Sequence, residues 1–157
     1  MIRRKTAKLF EAAAQIGAVL GGADAASEDA LARYGMQLGT AFQLIDDVLD
    51  YSGDLTAIGK NLGDDLAEGK PTLPLIRRCK SDRRQTRALI RGALTAGRID
   101  EFEPVLEVLA RSGALDYTRR CAEAESAEAA GCLGALSDSP ARATLLKLSA
   151  FAVTRTF

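Results

Sequence analysis

The sequence predicts an all-α protein, a bundle of helices joined by short loops. Three observations carry that prediction. Apolar residues recur at spacings of three and four along several segments. No stretch shows the period-two alternation of a strand. The composition, 47% apolar with 5% aromatic residues and no tryptophan, leans on alanine and leucine, which are strong helix formers. At 157 residues the chain suits a single domain, 1–157, and no internal repeat or low-complexity tract divides it.

Ile2 to Leu20 reads as one helix, with Leu9, Ala12, Ala13, Ile16 and Leu20 at helical spacing and Gly21-Gly22 as its stop. Ser27 is the expected N-cap of the next helix. Glu28 and Asp29 follow it in the first turn, where the helix dipole favours acidic residues. This helix runs through Leu31, Tyr34, Leu38, Phe42, Ile45 and Leu49 and ends near Ser52-Gly53. Gly35 and Gly39 would each cost about 1 kcal/mol relative to alanine in an isolated helix. Their expected use is close approach by another helix or by a substrate chain.

Asp54 to Lys70 is polar and glycine-rich, a loop of a length usually kept for lids and binding loops, and it is expected to be mobile. Pro71 and Pro74 bracket the start of a helix through Leu75, Ile76 and Cys79, since proline is tolerated in a first turn. Ser81-Asp82 is expected to cap a helix reaching about Ala96, on which Arg84, Arg87 and Arg91 share a face. Two further amphipathic helices follow, Asp100 to Arg111 and Ser112 to Leu136. Asp138-Ser139-Pro140 opens the last, whose apolar side is Leu145, Leu146, Leu148, Phe151 and Val153.

Composition excludes several functions. The 21 basic and 21 acidic residues balance, so no bulk charge draws the chain to nucleic acid or an anionic membrane. The arginine face lacks the interleaved aromatics of a nucleic-acid site. With no histidine, histidine bases, His-based triads and Glu-x-x-His di-iron sites are ruled out. Cys79, Cys121 and Cys132 are odd in number and widely spaced, which fits neither a zinc site nor a disulfide framework. Buried free thiols in a reducing cytosol, hence a cytoplasmic protein, are the expectation.

Arg3, Arg4 and Lys5 followed by alanines imitate a secretion signal. Lys8, Glu11 and Gln15 interrupt it, leaving only Ile16 to Gly22, so no signal is expected. No stretch is long enough to cross a bilayer. Gly53 to Lys60 departs from a Walker A loop by one residue of spacing, and Asn61 stands where Ser or Thr is required.

The chemistry concentrates in Phe42-Gln43-Leu44-Ile45-Asp46-Asp47-Val48-Leu49-Asp50. On a helix, Asp46 and Asp50 are four apart and Asp47 and Asp50 three apart, so all three project along one side, with Gly39 and Gln43 extending the line. The rest of the circumference is apolar, the mark of a buried helix. Carboxylates at its end cannot stay ionised and unpaired, because desolvating a charge is costly. No arginine or histidine lies within a turn, and a hard divalent cation with oxygen ligands is the simplest compensation. The competing reading is a helix end that emerges into water. Gly59-Lys60 and Gly69-Lys70 lie ten residues apart in the following loop, with Asp64-Asp65 between them. Carboxylates for Mg²⁺ and lysines for what Mg²⁺ bridges make a diphosphate site, with Lys5 as a further cation. Solvated loop lysines are the alternative.

F-Q-L-I-D-D-V-L-D-Y, followed by G-K-N-L-G-D-D-L-A-E-G-K-P-T-L-P-L-I, resembles the second aspartate-rich region of the trans-polyprenyl diphosphate synthases. Lys5-Thr6, in I-R-R-K-T-A-K-L-F-E-A-A-A, resembles that family's lysine-threonine motif. The resemblance runs from about Ile2 to the C-terminus and is most specific through Pro74. It implies a helical bundle of the isoprenoid synthase type, truncated to its C-terminal half, because the family's first aspartate-rich motif belongs well before Lys5. It also implies a prenyltransferase reaction. An allylic diphosphate ionises, the carbocation is captured by isopentenyl diphosphate, and a proton is lost. The chain grows in trans toward an octaprenyl-type product for isoprenoid quinone side chains.

By motif match, Asp46 would ligate Mg²⁺ directly, and Asp47, Asp50 and Asp65 more weakly or through water. Lys5 and Lys60 would contact the allylic diphosphate, with Lys70 supporting, and Thr6 and Gln43 would aim oxygen dipoles at the carbocation. An apolar cavity beside Gly39 would take the growing chain. The resemblance further implies a homodimer, with isopentenyl diphosphate bound by the missing half, so this chain alone is expected to be inactive. A non-catalytic diphosphate-binding or regulatory partner of a complete prenyl synthase is the alternative. A terpenoid cyclase would lack the Gly59 to Lys70 loop.

Overall fold

The computed structural model describes residues 2–52, 63–80, 84–96 and 102–155. The helices are α1 (Ile2–Lys5), α2 (Ala7–Leu20), α3 (Ala25–Ser52), α4 (Asp64–Ala67), α5 (Leu73–Cys79), α6 (Arg84–Ala96), α7 (Phe102–Ser112), α8 (Ala114–Cys132) and α9 (Pro140–Thr154), with a 3₁₀ turn at Leu133–Ala135. No strand occurs among the described residues. The all-α expectation therefore holds. Gly53, Lys60, the Ser81-Asp82 cap and Asp100 lie outside the described residues.

Several boundaries differ from the sequence reading. The first helix breaks at Thr6, whose N–H still bonds to the Ile2 carbonyl at 3.1 Å. The second begins at Ala25, ahead of Ser27, because Asp24 acts as the cap: its carboxylate accepts from the Ser27 N–H at 2.8 Å. That bond holds the Asp24 pKa below the usual carboxylate range. The described part of the polar loop contains a helical turn, α4. Pro74 sits in the first turn of α5 and Ser139 caps α9 by accepting from the Arg142 N–H at 3.1 Å, both as expected.

The chain forms two compact units, Met1–Ile45 with Arg120–Arg155, and Asp46–Arg119. The core of the first gathers Tyr34, Leu38, Ala129, Leu133 and Ala152, with Phe10, Leu31 and Leu145 packed against it. Tyr34 donates its hydroxyl to the Leu145 carbonyl at 3.0 Å, and Ser126 donates to the Ser149 carbonyl at 2.8 Å. The core of the second gathers Tyr51, Leu66, Leu75, Ile90, Val105 and Leu109. Cys79, Cys121 and Cys132 are free and half-buried.

The face that α2 buries corrects the sequence reading. Leu9 is 73% and Leu20 83% exposed, and Ile16 is exposed too, whereas Ala7 and Ala18 are buried. Close approach to α3 decides this. A Cβ on Gly35 would lie 2.4 Å from the Phe10 carbonyl oxygen, and one on Gly39 would lie 2.7 Å from the Ala7 Cα. At that separation the small side of α2 faces α3 and the leucines turn outward. The last helix behaves similarly: Leu148 and Phe151 stay exposed while Ser149 and Ala152 are buried. Exposed apolar side chains gathered along a helix, as Leu9, Ile16, Val19 and Leu20 are on α2, favour association. The chain alone is therefore expected to sediment as a dimer or larger species, and Leu9→Glu with Ile16→Glu to return it to a monomer. A parent that sediments as a monomer at micromolar concentration would contradict this.

Candidate functional site

The last turns of α3 carry the carboxylates into the second unit. Apolar residues hold that helix end in place: Val48 and Tyr51 are essentially inaccessible, and the Tyr51 ring stacks on Phe102 at 6.3 Å between centroids. Helical spacing then sets the carboxylates among them. Asp47 is buried, and Asp46 and Asp50 are half-buried. The chain returns at Gly63, whose N–H donates to the Asp50 carbonyl at 3.1 Å. Gly63 has φ of +84°, and a Cβ there would lie 2.4 Å from the Phe102 ring, so only glycine makes this turn. The turn brings the Asp65 N–H to the Asp50 carboxylate at 3.3 Å.

Asp65 and Lys70 meet directly. The Lys70 ammonium donates to Asp65 Oδ1 at 2.8 Å and pairs with Glu68 at 2.7 Å. Its backbone N–H also bonds to the Asp65 carbonyl at 2.8 Å. Thr72 donates to the buried Tyr51 hydroxyl at 3.3 Å, tying the segment after Lys70 to the end of α3.

Electrostatics single out Asp50. Burial pushes its pKa up to about 7, and the charges of Asp65, Asp64 and Asp46 add to this against the Asp65 N–H, which lowers it. The carboxylate hydrogen bonds to Asp65 and Glu68 hold Lys70 firmly protonated. Burial raises the Tyr51 hydroxyl. Among the described residues, no group of three or more Cys, Asp or Glu side chains is drawn together tightly enough to clasp a metal ion. The donor chemistry fits one all the same. Desolvated carboxylates that repel one another are what a hard divalent cation with oxygen ligands neutralises.

In the first unit, Thr6 donates to Gln43 Oε1 at 2.6 Å, pairing two of the predicted residues across 37 positions. The break in the helix at Thr6 sets that hydroxyl. Lys5 is exposed at the end of α1, and Lys60 lies outside the described residues. Phe42 packs on Phe10 at 5.5 Å between centroids. The Arg155 guanidinium lies 3.9 Å over the Phe42 ring and donates to its carbonyl at 3.0 Å.

Sequence reasoning missed Glu68, Tyr51, Thr72 and Arg155. The Glu68-Gly69-Lys70 spacing signals the ion pair of Glu68, whereas Arg155 meets Phe42 from 113 residues away and no local pattern could reveal it.

An all-α protein with an aspartate-rich end on a buried helix, facing a lysine-bearing turn, is the class that this fold and site define. The chain belongs to the polyprenyl synthetase family, whose model matches residues 1–109. It is 47% identical over 156 residues to the octaprenyl diphosphate synthase of Escherichia coli (strain K12), covering 99% of this chain and 48% of the relative. It is 41% identical to the all-trans-nonaprenyl-diphosphate synthase (geranyl-diphosphate specific) of Rhodobacter capsulatus, covering 99% of this chain and 47% of the relative. The polyprenyl synthase from Caulobacter crescentus CB15, solved in complex with calcium and isoprenyl diphosphate, superposes with a TM-score of 0.91 at 39% identity over 99% of this chain and 48% of that one. The chain thus spans about half the length of the curated relatives it matches. No helix among the described residues is long and apolar enough to cross a membrane.

Proposed function

We propose that this chain is the C-terminal portion of an octaprenyl-type diphosphate synthase, which condenses isopentenyl diphosphate with an allylic diphosphate for isoprenoid quinone side chains. The observation that carries this reading is the meeting of Asp50, Asp65 and Lys70 at the end of a buried helix, in a chain 47% identical to an octaprenyl diphosphate synthase. Asp46, Asp47, Asp50 and Asp65 would hold Mg²⁺. When bound, the ion supplies positive charge to the leaving diphosphate.

The chain's own residues do the rest. Lys5, Lys60 and Lys70 neutralise the diphosphate. Lys70 rests between Asp65 and Glu68, so it reaches the anion by exchanging one carboxylate for a phosphate oxygen. Thr6 donates to the Gln43 amide oxygen, and the oxygen dipoles of the two side chains would face developing positive charge. The other portion of the full-length enzyme would bind isopentenyl diphosphate, and the assembled enzyme would work in the cytoplasm as a homo-oligomer. This chain alone would not elongate a prenyl chain.

Calorimetry with inorganic pyrophosphate, with and without Mg²⁺, tests the site. Each ligand is expected to bind at least about tenfold more tightly in the presence of the other, and Asp46→Ala to abolish that synergy. Equal affinities in the two titrations would remove the basis of the proposal. A radiolabel assay with farnesyl and isopentenyl diphosphates is expected to give no long-chain product from this chain alone.

A further inference from the structure

A net charge of zero hides a local asymmetry. Between Leu75 and Arg98, Asp82 is the single acidic residue among arginines and Lys80. Three cations of this stretch, Lys80, Arg87 and Arg91, border a groove of about 520 Å³ at α5 and α6. Leu75, Ile76 and Leu94 form its apolar walls, and Lys80, Arg87 and Arg91 stand on its rim. Ile76 remains 40% exposed. Arg87 is held at the rim by donating its Nε–H to the Cys79 carbonyl at 3.1 Å.

Several surface cations elsewhere are paired, as in Lys8 with Glu11, Arg33 with Asp29 and Arg111 with Glu107. Among the described residues, no acidic side chain pairs with Lys80, Arg84 or Arg91. Among the described residues, a cationic rim without an acidic partner therefore surrounds an apolar slot. Helix α6 has the matching polarity: Ile90 and Ala93 are buried, and Arg84, Arg87 and Arg91 are exposed.

Each ligand class would use this surface differently. Single-stranded nucleic acid needs aromatic platforms for its bases, and the groove has none. A small inorganic anion would use the cations and leave the slot empty. A phospholipid uses both, with its phosphate on the rim and aliphatic chain in the slot. Basic residues beside anionic lipid add attraction in proportion to their number. We propose that the α5–α6 face docks this protein onto an anionic phospholipid bilayer. The proposal stands independently of the diphosphate site.

The chain has no tryptophan, so Ile76→Trp supplies a single reporter in the groove. Phosphatidylglycerol vesicles are expected to shift its emission to the blue with saturable binding, weakened by salt. Pure phosphatidylcholine vesicles are expected to leave it unchanged. Lys80→Glu with Arg91→Glu should weaken binding at least about tenfold. Arg33→Glu with Arg120→Glu, an equal change of charge elsewhere, should leave it unaltered. Vesicle co-sedimentation of the unsubstituted chain gives the same readout without the reporter. The proposal is overturned by equal binding to both vesicle types, by binding to neither, or by an equal loss in the control pair. It is also overturned if octyl phosphate below its micelle concentration binds as tightly as the vesicles, since the ligand would then be a soluble amphiphile.

Discussion

Gly35→Ala is expected to destabilise the chain by about 3 kcal/mol or more, the upper range for overpacking a closed interior. The added methyl would sit 2.4 Å from the Phe10 carbonyl oxygen and 2.8 Å from the Glu11 Cα. Both are backbone atoms, so no rotamer change relieves the clash and α2 must move as a body. Alanine's better helix propensity returns only about 1 kcal/mol. Gly39→Ala meets the Ala7 Cα at 2.7 Å and is expected to act in the same direction. Gly17→Ala is the opposite case. Nothing lies within 4 Å of a Cβ at Gly17, an exposed position inside α2, so it is expected to stabilise by about 1 kcal/mol. Urea denaturation followed by circular dichroism measures all three. A Gly35→Ala midpoint equal to the parent's would mean that the two helices do not approach so closely.

Without divalent metal, stability is expected to fall as pH rises from 5 to 8. The Asp50 pKa moves from 3.8 to about 7 on folding, so the folded state holds a proton that the unfolded state has lost. The stability this contributes is complete below 3.8 and disappears as pH climbs through 7. Because Asp50 is half-exposed, solvent screening reduces the full linkage to about 1 to 2 kcal/mol. Glu125 is raised by burial as well and adds a background slope of the same sign. Comparison with Asp50→Asn isolates Asp50: the variant should show a flatter profile and higher metal-free stability at pH 8. Urea midpoints at pH 5 and pH 8 in EDTA decide it. Identical profiles for parent and variant would show that the carboxylate ionises freely in the fold.

Helical spacing and the few punctuating residues made most elements legible in the sequence. Gly21-Gly22, Ser139-Pro140 and Pro74 mark ends that local chemistry alone dictates. The face of α2 was not legible, because Leu9, Ile16 and Leu20 are the most apolar residues there and periodicity ranks them first. What buries the alanine side instead is a tertiary fit to Gly35 and Gly39. The reading of those glycines as points of close approach was available in the sequence, but the identity of the partner was not. In the site, the spacing of Asp46, Asp47 and Asp50 gave one cluster and the Gly-Lys pairs suggested its counter-charge. The contact of Asp50 with Asp65 depends on the left-handed turn at Gly63, for which the sequence offered only a glycine. Thr6 with Gln43 was recoverable through the family motifs alone, since nothing local relates residues so far apart.

The first unit is assembled from two separated segments, residues 1–45 and 120–155, whereas the described residues of the second form one stretch, 46–119. On a ribosome this fixes a sequence of events. The second unit has all its core residues available as soon as α7 and the start of α8 have emerged. The Tyr34 hydroxyl must wait for Leu145, made 111 residues later. Such long-range contacts carry the slowest loop closures. Throughout that interval α2 and the first turns of α3 stand with apolar surface uncovered, in the state that invites aggregation or chaperone capture. A stall in translation before α9 would therefore leave a chain whose second unit has its core residues and whose first unit lacks the strip of core that closes it.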